Sequence, residues 1–391
     1  EGFVRGFLNV IKAATTGTGS ALQRMFITGV SPVTMDDVTS GFNIGTNITT
    51  DPWFNDLVGF SEAELREMLT YYKEQGVLMQ TVDETIVMMK PNYDNYCFSE
   101  EKLAQCMFNS DMALYFMKSF VLHHVKPKEI VDPNIRTDFN KLAYLIRLDH
   151  GLGENFSVIK EIAEQGEITT DIATHFSALE MTDVRNFKSL LFYFGLLSIK
   201  GVDMVGRPIL HVPNLVVREQ LFSFLIRGYI KHDIFKIDMN RMTMLFENMA
   251  FRGDWKPLFN FIAEAIREQS RIREYIEGEA HIKGFLLAYL GMYRYYQLYP
   301  EYELNKGFAD FLFKPSPSVP VMPPLTYLLE VKYAKAGTSE KEIRALADEA
   351  REQLLRYSQD ELVAEAKAKG GLKLITIVWC SWELVLLEEV L

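Results

Sequence analysis

Apolar residues recur at helical spacing through most of the chain and give way, near the C-terminus, to short, almost continuous apolar runs. Phe3, Phe7, Val10 and Ile11 share one helical face and predict a helix over residues 2–14, closed by the TTGTGS loop at 15–20. RMFITGV at 24–30 reads as a short buried strand. The stretch from Ser31 to Asn55 is polar and rich in turn residues, which predicts a long surface segment. In SEAELREMLTYYKEQG, Ser61 and Glu64 stand at capping-box spacing and Gly76 supplies the stop, so this segment is a helix. Residues 80–190 continue as helices, with stripes in MALYFMKSFVLHHV and FNKLAYLIRL and breaks at Pro127, Asp132 and Pro133. FKSLLFYFGLLSIKG followed by RPILHVPN predicts helix, glycine turn, strand, loop and strand. That order is compatible with a winged helix, although without a basic recognition helix the plainer reading, a segment that closes a helical domain, is the stronger one.

From Lys256 the pattern changes. Helices lead into the strand candidates YQLYPEYEL, GFADFLF and LTYLLEVKYA, then a helix at 339–357, then LKLITIVWCS and WELVLLEEVL. The chain therefore reads as an α+β or α/β multidomain protein. Its 391 residues exceed one compact core, and 48% hydrophobic with 24% charged residues excludes disorder as a description of the whole. The formal net charge of -11 excludes a global basic field. Residues 256–391 hold 17 Lys/Arg and 20 Asp/Glu, net -3, so most of the acidic excess lies before them. Cys97, Cys106 and Cys380 have neither CxxC nor Cys/His ligand spacing, which argues against zinc and against a disulfide framework and fits a reducing cytoplasm. No run reaches the length of a membrane span.

The candidate chemistry lies where charge interrupts apolar strands. Asp310 is embedded in GFADFLF, and Glu330 and Lys332 in LTYLLEVKYA. Burying such groups is costly unless they are paired. Period-two alternation puts Glu330 and Lys332 on one face with Val331 on the other. The connection KPSPSVPVMPP cannot continue a central strand, so the two strands are expected to form a hairpin that brings Asp310 beside Glu330. Two carboxylates could then hold a hard ion such as Mg²⁺ or Mn²⁺ while the lysine positions a water, a set suited to phosphodiester hydrolysis. The E-x-K spacing alone is weak, since Glu100/Lys102 and Glu365/Lys367 share it on polar segments. The plainer reading is an interior ion-pair network without catalysis. His281, Trp379, Trp382 and the aromatic stripe of 285–299 read as packing residues.

Gly307-Phe308-Ala309-Asp310, with Glu330 twenty positions after the Asp within Leu329-Glu330-Val331-Lys332, resembles the active-site signature of the PD-(D/E)XK nuclease superfamily. Gln353 and Tyr357 match the Q-x-x-x-Y element of its RecB-like subgroup, and Glu279 matches the helical carboxylate that often completes metal binding, with Glu303 as a competitor. Ala309 stands where the family usually has Pro. The resemblance implies Asp310, Glu330, the Val331 carbonyl and Glu279 as metal ligands, Lys332 as the water-positioning group, Gln353 and Tyr357 beside the catalytic face, and a nucleic acid, DNA in the first instance, as substrate.

The front half, RMFITGVSPVTMDDVTSGFNIGTNIT with SEAELREML, NYDNYCFS and FKSLLFYFGLLSIK, resembles the later part of a bacterial AAA-ATPase-like family fused to this nuclease type. That likeness implies Thr28 or Ser31 as a nucleotide-sensing residue, ATP as a ligand of the parent protein, and possible oligomerisation through the ATPase portion. No G-x-x-x-x-G-K-[ST] occurs, and the chain opens at Glu1 inside an amphipathic helix, so it is expected to be a fragment whose phosphate loop lies upstream. The expected domains are 1–60 (distal ATPase core), 61–185 (helical lid), 186–255 (winged-helix-like connector) and 256–391 (nuclease). The rival reading is a non-catalytic module that binds nucleic acid or protein through a degenerate nuclease fold.

Overall fold

The structure is a computed structural model, which describes residues 2–15, 19–29, 46–123, 127, 131, 153–174, 176, 180, 183–269, 276, 278–305, 307–316 and 319–390. The chain divides into two compact units, Glu1–Val158 with Glu167–Val217 and Ile159–Gly166 with Arg218–Leu391.

In the first unit, helix α1 spans Gly2–Thr15 as its apolar stripe predicts. The strand expected at 24–30 is not there: residues 24–29 have no regular structure and are mostly exposed. Among the described residues no strand pairs with it, and β-propensity counts for little without cross-strand packing. Helices α2 (Glu62–Glu74) and α3 (Val82–Tyr93) each open on a full capping box, Ser61 with Glu64 and Thr81 with Glu84. They pack with α4 (Ser110–His123) around Leu65, Leu69, Met89, Tyr93 and Phe116. FNKLAYLIRL falls outside the described residues. Helix α5 covers Glu154–Gln165, its residues from Ile159 on belonging to the second unit, and β1 (Glu167–Thr169) follows. Helix α6 (Val184–Tyr193), the turn at Gly195, β2 (Ser198–Val202) and β3 (Pro208–His211) then come in the expected order, with β1 and β2 flanking β3 in an antiparallel sheet. Helix α7 runs from Leu215 to Lys231 and belongs to the second unit from Arg218 on.

The second unit is built on a five-stranded sheet in sequence order. Helices α8 (Met239–Arg252), α9 (Lys256–Glu268) and α10 (Glu279–Gly291) precede β4 (Tyr296–Leu304), β5 (Gly307–Pro315) and β6 (Thr326–Ala334). Helices α11 (Glu340–Tyr357) and α12 (Glu361–Ala368) then cross over to β7 (Leu372–Cys380), and β8 (Glu383–Val390) closes the edge. All pairings are antiparallel except β6 with β7, the one that the helical crossover makes possible. One face of the sheet packs on α8, where Tyr327 Oη donates to the Met249 carbonyl at 2.7 Å and Tyr296 Oη to that of Ala250 at 3.4 Å. The opposite face packs on α11 through Leu312, Leu328, Leu374 and Leu354. Helix α10 is apolar on nearly all sides, burying Ile282 and Phe285 through Leu290. A lysine at position 283 breaks that run.

Candidate active site

The hairpin expectation holds. Phe311 pairs with Leu329, Leu312 with Leu328 and Phe313 with Tyr327, so the next step of the same register sets Asp310 opposite Glu330. The ladder ends there because the Val331 amide donates to Asp310 Oδ2 at 2.6 Å, a side chain taking the place of a backbone carbonyl. Within a strand, a residue's N–H and C=O aim at the same neighbour, so the Val331 carbonyl is directed to this same gap.

Carried one step further, these registers give one row across the sheet. Pro300 pairs with Phe311 and Tyr302 with Ala309, so Glu301 faces Asp310; on the other side Glu330 pairs with Thr376, which pairs with Glu388. Glu330, Thr376 and Glu388 stand two residues from Leu328, Leu374 and Val390 along their strands and so point to the same face, the one covered by α11. The contacts agree: Lys332 Nζ lies 3.1 Å from Glu349 Oε1, and Arg344 Nη1 lies 3.4 Å from Glu388 Oε1, both partners being on that helix. Glu301 has φ +43, a left-handed conformation that costs a non-glycine residue about 1–2 kcal/mol. Such strain concentrates at functional sites.

Asp310 is 4% exposed and Glu330 3%. Each has its own lysine. Lys332 Nζ is 3.3 Å from Glu330 Oε1, and Lys283 on α10 is in ion-pair contact with Asp310 Oδ1. Each lysine also touches outer carboxylates: Glu349 for Lys332, and Glu279 at 2.8 Å and Glu301 at 3.2 Å for Lys283. Burial, with Asp310's charge added, pushes the Glu330 carboxyl up to about 7, and Lys332 offsets this only in part. Burial likewise raises Asp310 to about 6 against the pull of Lys283 and the Val331 amide. The same burial would lower the Lys283 ammonium, but Asp310 and Glu279 outweigh it and hold it above the usual lysine range.

Three buried polar atoms around the row have no hydrogen-bond partner: Glu330 Oε2, Thr376 Oγ1 and Gln353 Oε1. A buried carboxylate oxygen without a donor is costly unless something positive meets it. Glu330 Oε2 together with Asp310 and the Val331 carbonyl is an all-oxygen set, the chemistry that hard divalent ions take, with waters completing the shell. No group of three or more His, Cys, Asp or Glu side chains in ligand arrangement occurs among the described residues. The side chains' share of such a site is therefore two carboxylates.

Of the residues singled out in the sequence, Asp310, Glu330, Val331 and Lys332 converge. Glu279 joins them only through Lys283. Glu349, Gln353 and Tyr357 follow one another at four-residue spacing along the sheet-facing stripe of α11. Tyr357 is a core residue, its ring so close to the start of β5 that a Cβ on Gly307 would fall 2.6 Å from its Cε1. Glu303 is exposed, opposite Phe308. Thr28 is exposed in a segment without regular structure, which removes the strand end it was expected to occupy, and Ser31 lies outside the described residues. Sequence reasoning missed Lys283, Glu301 and Thr376. Only Lys283 left a signal, its i+4 spacing from Glu279 on a helix otherwise apolar.

Comparison with known proteins agrees with this geometry at the level of family. No curated protein matches the chain. A family model described as the PD-(D/E)XK nuclease superfamily matches residues 277–389, from the residue before Gly278 at the start of α10 to the end of β8. The stretch that holds Lys283, Asp310, Glu330 and Lys332 is a PD-(D/E)XK nuclease superfamily domain.

Proposed function

We propose that the second unit hydrolyses phosphodiester bonds in nucleic acid with the help of a divalent ion, Mg²⁺ or Mn²⁺. The observation that carries this reading is the buried Glu330 Oε2, which has no donor, beside the equally buried carboxylate of Asp310 on the neighbouring strand. Asp310, Glu330 and the Val331 carbonyl would hold the ion, which when bound supplies Lewis-acid stabilisation of charge on the phosphate. Lys332 is held by Glu330 and Glu349 so that its ammonium stands next to the carboxylate pair. There it donates a hydrogen bond to the attacking water or to a phosphate oxygen and compensates the developing negative charge. Gln353, with its free buried carbonyl oxygen, faces the same side from α11 and orients a water or a sugar-phosphate group.

The substrate is read as DNA on the likeness of Gln353 and Tyr357 to the RecB-like pattern. Coupling of cleavage to ATP rests on the front-half likeness alone. The test is incubation of the full chain with Mg²⁺ or Mn²⁺ and end-labelled single- and double-stranded DNA and RNA, with and without ATP, beside Asp310→Ala and Lys332→Ala. Ion-dependent cutting that falls by about 100-fold or more in both variants is expected. Equal cutting by all three, or none on any substrate with either ion, would overturn the reading.

A further inference from the structure

The two buried carboxylates of the site pair one to one with two lysines. Both lysines keep a second, more exposed acidic partner. The arrangement is not symmetrical, however. Lys332 has one outer partner, whereas Lys283 has two, and one of them, Glu301, itself has left-handed backbone in the middle of a strand. Lys283 projects from a helix whose other inward positions are apolar, and its side chain is only 19% exposed. A divalent ion at Asp310 would stand against an ammonium already in contact with the same carboxylate, and at that range repulsion is strong in a poorly hydrated site. The ammonium does not need to cross open space to yield, because Glu279 and Glu301 already touch it.

We propose that Lys283 is a tethered counter-cation: it neutralises Asp310 while no divalent ion is bound and is drawn onto Glu279 and Glu301 when one arrives, so it sets how tightly the ion is held. This rests on the nuclease reading of the same site and changes one assignment within it. Glu279 becomes the seat for a displaced lysine rather than a metal ligand. The two roles separate cleanly, since a ligand matters whatever stands at position 283, and a seat matters only while the lysine is there.

The experiment is calorimetric titration of the full chain with Mn²⁺ at pH 7.5, for the wild type, Lys283→Met, Lys283→Gln, Glu279→Gln and the Lys283→Met/Glu279→Gln double variant, each checked for a wild-type-like melting curve. Methionine keeps the packing of the lysine stem, and glutamine keeps a polar end should methionine disturb the fold. Both position-283 variants are expected to bind Mn²⁺ at least about tenfold more tightly. Glu279→Gln should weaken binding in the wild type by about tenfold and leave it unchanged in the Lys283→Met background, a coupling of the size contacting residues show. Unchanged or weaker binding in both position-283 variants overturns the proposal and leaves the nuclease reading intact. So does an equal loss from Glu279→Gln in both backgrounds, which would make Glu279 a ligand. Absence of Mn²⁺ binding in every variant would remove the nuclease reading as well.

Discussion

Replacing Glu330 with glutamine should stabilise the metal-free protein, and only at neutral and alkaline pH. Glu330 is 3% exposed, so solvent screens its charge little, and its carboxyl is raised from 4.5 to about 7. A carboxyl whose folded pKa lies above its unfolded value contributes stability that is fully present below the unfolded pKa and is lost as pH rises through the folded one. At 1.36 kcal/mol per unit, the loss between pH 4.5 and pH 8 is about 3 kcal/mol for the wild type and absent in Glu330→Gln. For a unit of this size that corresponds to a difference of about 6–12 °C in melting temperature. Tryptophan fluorescence can report it, because Trp255, Trp379 and Trp382 lie in the second unit, and Trp53, the fourth, is 87% exposed in the first. The melting difference between variant and wild type should be small at pH 4.5 and open steadily to pH 8. Mg²⁺ should then narrow it by stabilising the wild type alone. A difference that is the same at both pH values, or a variant that melts lower at pH 8, would refute the reasoning.

Three further outcomes are expected. Because Asp310 and Glu330 stay partly protonated near pH 6 to 7, binding of Mn²⁺ must release protons there. Calorimetry in buffers of different ionisation enthalpy should show release at pH 6.5, none at pH 8.5, and an affinity that rises between them; no release at pH 6.5 would contradict the raised carboxyls. Gly307→Ala would place its Cβ 2.6 Å from Tyr357 Cε1 and 3.2 Å from Arg356 Nη2, and the resulting overpacking should cost about 1–3 kcal/mol in the same melting assay, whereas a wild-type melting temperature would mean that the ring yields freely. In the first unit Tyr96 and Met107 exchange both backbone hydrogen bonds, which sets Cys97 against Cys106 at the next, closer-spaced pair. Cys97 Sγ donates to the Ser99 carbonyl at 3.1 Å and Cys106 Sγ to that of Leu103 at 3.5 Å, and the neighbouring Cys106 lowers the Cys97 thiol to about 7, so diamide at pH 8 should lower the titratable thiols from three to one without forming dimers, and Cys97→Ser should abolish the effect.

The five strands of the second unit and the helix before the fourth were legible because their apolar runs are short and bounded by proline, glycine or a capping serine. Asp310, Glu330 and Lys332 were legible for a related reason. A charge inside such a run needs a partner in the fold, and strand alternation alone puts Glu330 and Lys332 on one face. RMFITGV misled because propensity was its only support. It has the residues of a strand, but residues 24–29 lie exposed without regular structure.

Local pattern by itself determined which segments could be strands and which charges had no place in a core. Only the tertiary structure decided that Glu301, Asp310, Glu330 and Thr376 stand in one row and that Lys283 reaches into it from α10. The physical reason is the range of the interactions involved. Alternation and capping act over a few residues and leave their mark in the order of the chain, whereas cross-strand register and the direction in which a helix points a lysine are set by packing between segments up to about 100 residues apart.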